Sequence, residues 1–265
     1  MKLFISADIE GTAGIVSWPE TELGEQVYSY CANEMTMEVK NACDGAIRAG
    51  VDSILVKDAH DSARNINPAK LPKSVRILRG WTRGPECMMG GLDRSFDAVA
   101  MIGYHSACAT NGNPLAHTMN TKNEFIKING TIASEFMINA YTAAYYGIPT
   151  VFVSGDKMLC ESAKLMIPNI TTVPVSEGLG DGSISIHPAV AQAKIRDHIA
   201  LSLQGDLLRC LPELPEKFEV EVQFCDHFMA YRGSFYPGAK ANGLKQVVFQ
   251  SNDYYDILKF FLFVL

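Results

Sequence analysis

Apolar positions along the chain fall into two patterns. LFIS near the start, then the apolar stretches of DSILVKD, VRIL, DAVAMIG and TVFVSGD, are short and nearly unbroken, as in strands covered on both faces. Between the first two, Met35, Val39, Ala42 and Ala46 recur at three- and four-residue spacings, which predicts a helix over about residues 28–49 that Gly50 ends. Strand, helix and strand in alternation predict an α/β fold with a mostly parallel sheet flanked by helices.

The middle of the chain changes pattern. EFIKINGTIAS reads as a hairpin with Asn129 and Gly130 at its turn, because Asn-Gly supplies the positive φ values that tight turns demand. A helix is expected from about Ser134 to Tyr146, and Gly147 caps it. After the glycine-rich SEGLGDGS, PAVAQAKIRDHIALSL reads as a helix, and KFEVEVQF alternates like a half-exposed antiparallel strand. No repeat or low-complexity linker divides the chain. The expectation is a single α/β domain over 1–265, with an antiparallel C-terminal elaboration from about residue 215. FFLFVL near the end is far shorter than the ~20 residues a bilayer span needs. It is expected to dock on the core or on a neighbouring subunit.

Composition narrows the partners. The formal charge is −6, and no segment supplies the basic footprint that nucleic acid or an anionic membrane requires. Small molecules or proteins are the expected partners. Asp8 and Glu10 interrupt the first apolar run before a signal-peptide core could be complete. Seven cysteines lack any CxxC pair, which suggests neither a disulfide framework nor a zinc ribbon and fits a reducing cytoplasm.

The chemistry gathers at strand ends. In open α/β sheets, functional groups collect beyond the carboxyl ends of the strands. Asp8 and Glu10, in SADIEG, end the first strand two positions apart and therefore share a face. Two carboxylates side by side need a cationic partner, an Arg or Lys or a metal ion. His60 follows the second strand in DAHDS, and His105 follows DAVAMI in GYHSA. Glu135 stands near a helix start, where the helix dipole alone would favour an acid. His117 lies in the loop-like NPLAHTMN. Asp58 and Asp61 flank His60, and one of them is expected to orient its imidazole. Cys108 lacks the base that a nucleophile requires and reads as a small buried residue.

SADIEG, DAHDS, GYHSA, LAHT and ASEF, in this order and over most of the chain, resemble the zinc-dependent D-aminopeptidase family of bacterial dipeptide-transport operons. The resemblance implies an α/β fold bearing two zinc ions, with Asp8, Glu10, His60, His105 and Glu135 as ligands and His117 as the catalytic residue. It further implies release of N-terminal D-amino acids, D-alanine first, from short peptides, and a ring-like, decamer-like homo-oligomer. Past about Gly178 it carries no motif. Charge agrees with two ions: three carboxylates and two neutral imidazoles carry −3, and two divalent ions with a hydroxide between them bring the sum to zero. Mixed carboxylate and imidazole donors suit zinc. Two other readings fit the same donors, a dinuclear metallophosphoesterase and a non-catalytic metal- or peptide-binding protein.

Overall fold

The computed structural model describes residues 1–265. In chain order the elements are β1 (Lys2–Ala7), α1 (Tyr28–Arg48), β2 (Ser53–Asp58), β3 (Val75–Leu78), β4 (Ala98–Tyr104), β5 (Asn123–Ile128), β6 (Thr131–Ile132), α2 (Glu135–Tyr145), β7 (Thr150–Asp156), α3 (Lys157–Met166) and β8 (Thr171–Leu179). There follow β9 (Gly182–Ser185), α4 (Pro188–Ser202), β10 (Phe218–Phe224), α5 (His227–Gly233), β11 (Lys240–Ala241), β12 (Gln246–Ser251) and α6 (Tyr254–Val264). Seven strands form one sheet in the order β3-β2-β1-β4-β7-β8-β9, parallel except for β9. The other five form an antiparallel sheet in the order β11-β12-β10-β5-β6.

The α/β class and the mostly parallel sheet follow the sequence pattern. The unbroken apolar runs became β1, β2, β4 and β7; β4 and β7 are buried along their whole length. The hairpin turns at Asn129 (φ +50°) and Gly130 (φ +79°). Its place in the fold differs from a local excursion. β5 pairs with β10, Ile126 opposite Val222, so the antiparallel layer draws on the middle of the chain as well as its end. SEGLGDGS likewise closes a hairpin, β8 to β9, that extends the parallel sheet by an antiparallel edge.

Each sheet has its own apolar core. A cluster of 50 buried residues fills the space between the parallel sheet and its helices, α1 and α4 on one side and α3 among the rest. A second cluster of 18 lies under the antiparallel sheet and takes in α5 and α6. Helix α2 serves both, since Phe136, Ala140 and Ala143 face the larger cluster and Ile138 the smaller. The FFLFVL stretch is part of α6; Phe260, Phe261 and Val264 are buried and Phe263 is 70% exposed. Burying such side chains contributes roughly 1.5–3 kcal/mol each. All seven cysteines are free, and Cys108 is buried. No helix is long and apolar enough to cross a membrane.

Candidate metal centre

Strands β2, β1 and β4 are parallel neighbours, so their carboxyl ends open on one edge and deliver His60, Asp8 with Glu10, and His105 to the same place. The loop after β1 lies hard against the end of β4. Asp8 N–H donates to the Ile102 carbonyl and Gly11 N–H to the Gly103 carbonyl, both at 2.8 Å. No Cβ fits there: one on Gly11 would stand 1.7 Å from the Tyr104 carbonyl oxygen, and one on Gly103 (φ +71°) 2.3 Å from that of Asp8. The two glycines are what let the carboxylate loop reach the histidine strand. Glu135 arrives as the first residue of α2, whose N-cap Ser134 accepts from Met137 N–H. His117 comes from the loop between β4 and β5.

The six predicted residues converge. Asp8 Oδ1 lies 3.2 Å from His60 Nδ1, and Glu10 Oε2 lies 3.1 Å from the same nitrogen. Asp8 Oδ2 lies 3.4 Å from His105 Nε2, and Glu135 Oε2 lies 3.5 Å from it. Asp8 thus belongs to two triads, one with Glu10 and His60, the other with His105 and Glu135. Donors about 2.0–2.1 Å from a tetrahedral zinc stand about 3.3 Å from one another, so both triads have the spacing of zinc ligands. A third group joins Glu10, His105 and His117. His117 Nε2 lies 3.6 Å from Glu135 Oε1.

The donor atoms point where a cation would be held. Asp8 Oδ2, Glu10 Oε2 and His105 Nε2 are buried with no hydrogen-bond partner, and three buried carboxylates are costly without positive charge among them. Each imidazole offers its second nitrogen outward: His60 Nε2–H donates to the Thr21 carbonyl at 2.8 Å, His105 Nδ1–H to that of Ser106 at 2.9 Å, and His117 Nδ1–H to that of Leu115 at 2.9 Å. These bonds set the tautomer that presents a lone pair to the centre. Burial opposes charge on His60, but the Glu10 and Asp8 carboxylates outweigh it and raise its pKa well above the usual value. His105 is raised in the same way against burial, by Glu135 and Asp8. Burial would raise the Asp8 carboxyl, yet His105 and His60 hold it well below the usual range. A metal ion has to compete with these protons.

The centre opens into a cavity of about 240 Å³ walled in part by Trp81, Cys87 and Met119. The His117 ring stacks on that of His105, centroids 4.3 Å apart, and meets Trp18 edge-on at 5.3 Å.

Some positioning groups were not among the sequence candidates. Asp156, at the end of β7, accepts from Ser106 N–H at 2.6 Å and from the Ser106 hydroxyl, and so holds the segment carrying His105. The strand-end rule that singled out Asp8 applies equally to TVFVSGD and would have found it. The Thr21 carbonyl leaves no trace in side-chain patterns. The expected role for Asp58 or Asp61 is not seen. Asp58 accepts from the Asn65 and Ile66 N–H groups and the Asn65 side chain, which pins the loop behind His60. The imidazole itself is oriented by the backbone.

A parallel sheet whose strand ends bring buried carboxylates and imidazoles to one open cavity defines an α/β metallohydrolase. A family model described as D-aminopeptidase, peptidase M55, matches residues 1–263, and the chain belongs to that family. It is similar to the D-aminopeptidase of Bacillus subtilis (strain 168), with 29% identity over 256 residues, covering 96% of this chain and 92% of the relative. Among solved structures it is similar to the Zn-dependent D-aminopeptidase DppA from Bacillus subtilis, a self-compartmentalizing protease. The TM-score is 0.92 at 28% identity, over 99% of this chain and 96% of the other.

Proposed function

We propose that this chain is a zinc-dependent aminopeptidase that releases N-terminal D-amino acids, D-alanine first, from short peptides. The reading places two zinc ions per chain on Asp8, Glu10, His60, His105 and Glu135, with His117 as the catalytic residue. The observation that carries it is the position of Asp8, whose two oxygens face two different triads, as a carboxylate shared by neighbouring ions would.

Bound there, a pair of divalent ions polarises a peptide carbonyl and activates water. The chain's own part is orientation and proton movement. Thr21 and Ser106 carbonyls fix the rings of His60 and His105. His117 is held by its Nδ1–H bond to Leu115 and by contact with His105 and Trp18, which leaves Nε2 facing the cavity. Glu135 Oε1, 3.6 Å away, stabilises the imidazolium that forms when Nε2 takes a proton from the attacking water. That proton is then delivered to the departing amine. Glu135 keeps its own orientation through Met119 N–H, 2.6 Å from Oε1.

The relative's self-compartmentalizing assembly supports a homo-oligomer here as well, ring-like and in the manner of a decamer. Phe228, Tyr231, Phe235, Leu244 and Phe263 are all more than half exposed on the antiparallel layer, and apolar surface of this kind is ordinarily covered by a partner. Free cysteines fit a cytoplasmic location. The deciding experiment sets D-alanyl and L-alanyl dipeptides beside a phosphate monoester, with the zinc-loaded protein. Turnover of the D-peptide alone is expected. Phosphate-ester turnover without peptide turnover would make the centre a phosphoesterase, and zinc binding without any turnover would make it a binding protein.

A further inference from the structure

A second cavity, of about 200 Å³, adjoins the metal centre and is not used in the chemistry above. Cys87 and Met119 line both. Beyond them its walls are apolar: Ile138 from α2, and Leu258, Phe261 and Leu262 from the C-terminal helix α6. The parallel layer thus supplies the ligands, and the antiparallel layer supplies this wall.

Each polar side chain at the cavity's edge is tied to the protein through one of its atoms. Glu86 Oε1 accepts from the Tyr146 and Tyr255 hydroxyls at 2.9 and 3.0 Å. Asn139 donates to the Tyr104 hydroxyl at 2.9 Å, and Asn120 Oδ1 accepts from Lys122 N–H at 2.9 Å. Most of the remaining lining is apolar, Ile138, Leu258, Phe261, Leu262 and Leu265 among it. The two residues common to both cavities are also strained: Cys87 has φ +46° and Met119 φ +67°, a region that side chains other than glycine, asparagine and aspartate seldom adopt. Strain of this kind is held at binding and catalytic sites by the surrounding structure. Met119 additionally donates its N–H to Glu135, so one strained residue borders the second cavity and orients a proposed ligand.

The geometry points to this cavity as the subsite for an apolar side chain of the bound peptide. It rests on the peptidase reading above and deepens it. An apolar cavity of about 150 Å³ holds a benzene molecule in another protein, so leucyl and phenylalanyl side chains fit, and an alanine methyl leaves most of the space unfilled. With D-alanine as the residue released, the side chain belongs to the residue after it, and a series at the N-terminal position is the opposing arm of the test.

The experiment compares kcat/KM for two sets of dipeptides on the zinc-loaded protein. One varies the N-terminal D-residue through Ala, Leu and Phe. The other keeps D-Ala first and varies the second residue through Gly, Leu and Phe. At the second position Leu or Phe should exceed Gly by about tenfold or more, the scale of filling an apolar pocket, while D-Ala stays ahead at the first. Leu262→Trp, at a position 40% exposed and so tolerant of size, should cut that ratio at least fivefold with zinc content unchanged. Phe263→Trp, on the outer side of the same helix, should leave it as it is. Turnover with a flat ratio at the second position, a preference for Leu or Phe at the first position only, or a ratio that Leu262→Trp does not change, would overturn the subsite alone. Absence of turnover on every peptide would overturn the subsite and the peptidase reading together.

Discussion

The parallel and antiparallel layers handle charge in opposite ways. Buried between Asp8 and Asp156 are Asp8, Glu10, Glu38, Lys57, Asp58, His60, His105, Glu135 and Asp156; beyond Asp156 no charged side chain is buried. Strands β10 and β12 with helices α5 and α6 bury only apolar groups. Parallel strands end together on one edge, so a polar residue just past each end meets its counterparts, and their cost is offset when they share a cation. An antiparallel layer scatters its strand ends over two edges. It provides surface, and here that surface includes the wall beside the centre.

If charge in the parallel layer is organised around the shared carboxylate, Asp8→Ala should have the largest effect. Both triads lose a member, so zinc content should fall along with rate, by about 10³-fold or more, the equivalent of several kcal/mol of lost electrostatic assistance. His117→Ala should lower kcat by about 10²–10⁴-fold while metal analysis finds zinc retained and KM changes little. Lost zinc would make His117 a ligand, and near-normal turnover would make it a bystander.

Glu38 gives a pH test of the same layer. It sits behind the Asp8–Glu10 loop with Oε1 accepting from Ala13 N–H at 3.0 Å and Oε2 unpartnered. Burial pushes its carboxyl up to about 8 from 4.5. With the folded value above the unfolded one, its contribution to stability is fully present below about pH 4.5 and is lost as pH rises through about 8. Glu38→Gln removes this loss. Urea titrations at pH 5 and pH 9 should show the variant gaining ~4 kcal/mol on the parent over that interval. A constant difference between them would mean Glu38 is ionised in the folded protein at both pH values.

The smallest contrast sets one glycine in each layer against the other. Gly103→Ala drives a Cβ into the Asp8 carbonyl and should cost about 2–5 kcal/mol, strain and overpacking combined, with loss of zinc. Gly130→Ala, at φ +79° with nothing within 4 Å of the added carbon, should cost only about 1–2 kcal/mol and leave zinc in place. Denaturant titration with metal analysis reads both. Equal costs would show that the close approach at Gly103 can relax.

Much of the parallel layer was legible because its signals are local. Unbroken apolar runs mark doubly covered strands, and the next few residues mark their chemistry, as in SADIEG, DAHDS and GYHSA. The antiparallel layer was less so. KFEVEVQF showed a half-exposed strand, yet its pairing with Ile126, nearly a hundred residues back, is set by packing that alternation cannot reveal. Glu135 lay open to a plain helix-dipole reading, and only the family resemblance gave it weight. The orientation of His60 by a backbone carbonyl was invisible in principle, since every residue has one.

The proposed chemistry requires two ions sharing Asp8. Elemental analysis of zinc bound per chain, on protein dialysed free of excess metal and fully active, tests this most directly. About two zinc ions per chain are predicted. One ion per chain with full activity would contradict the shared-carboxylate centre.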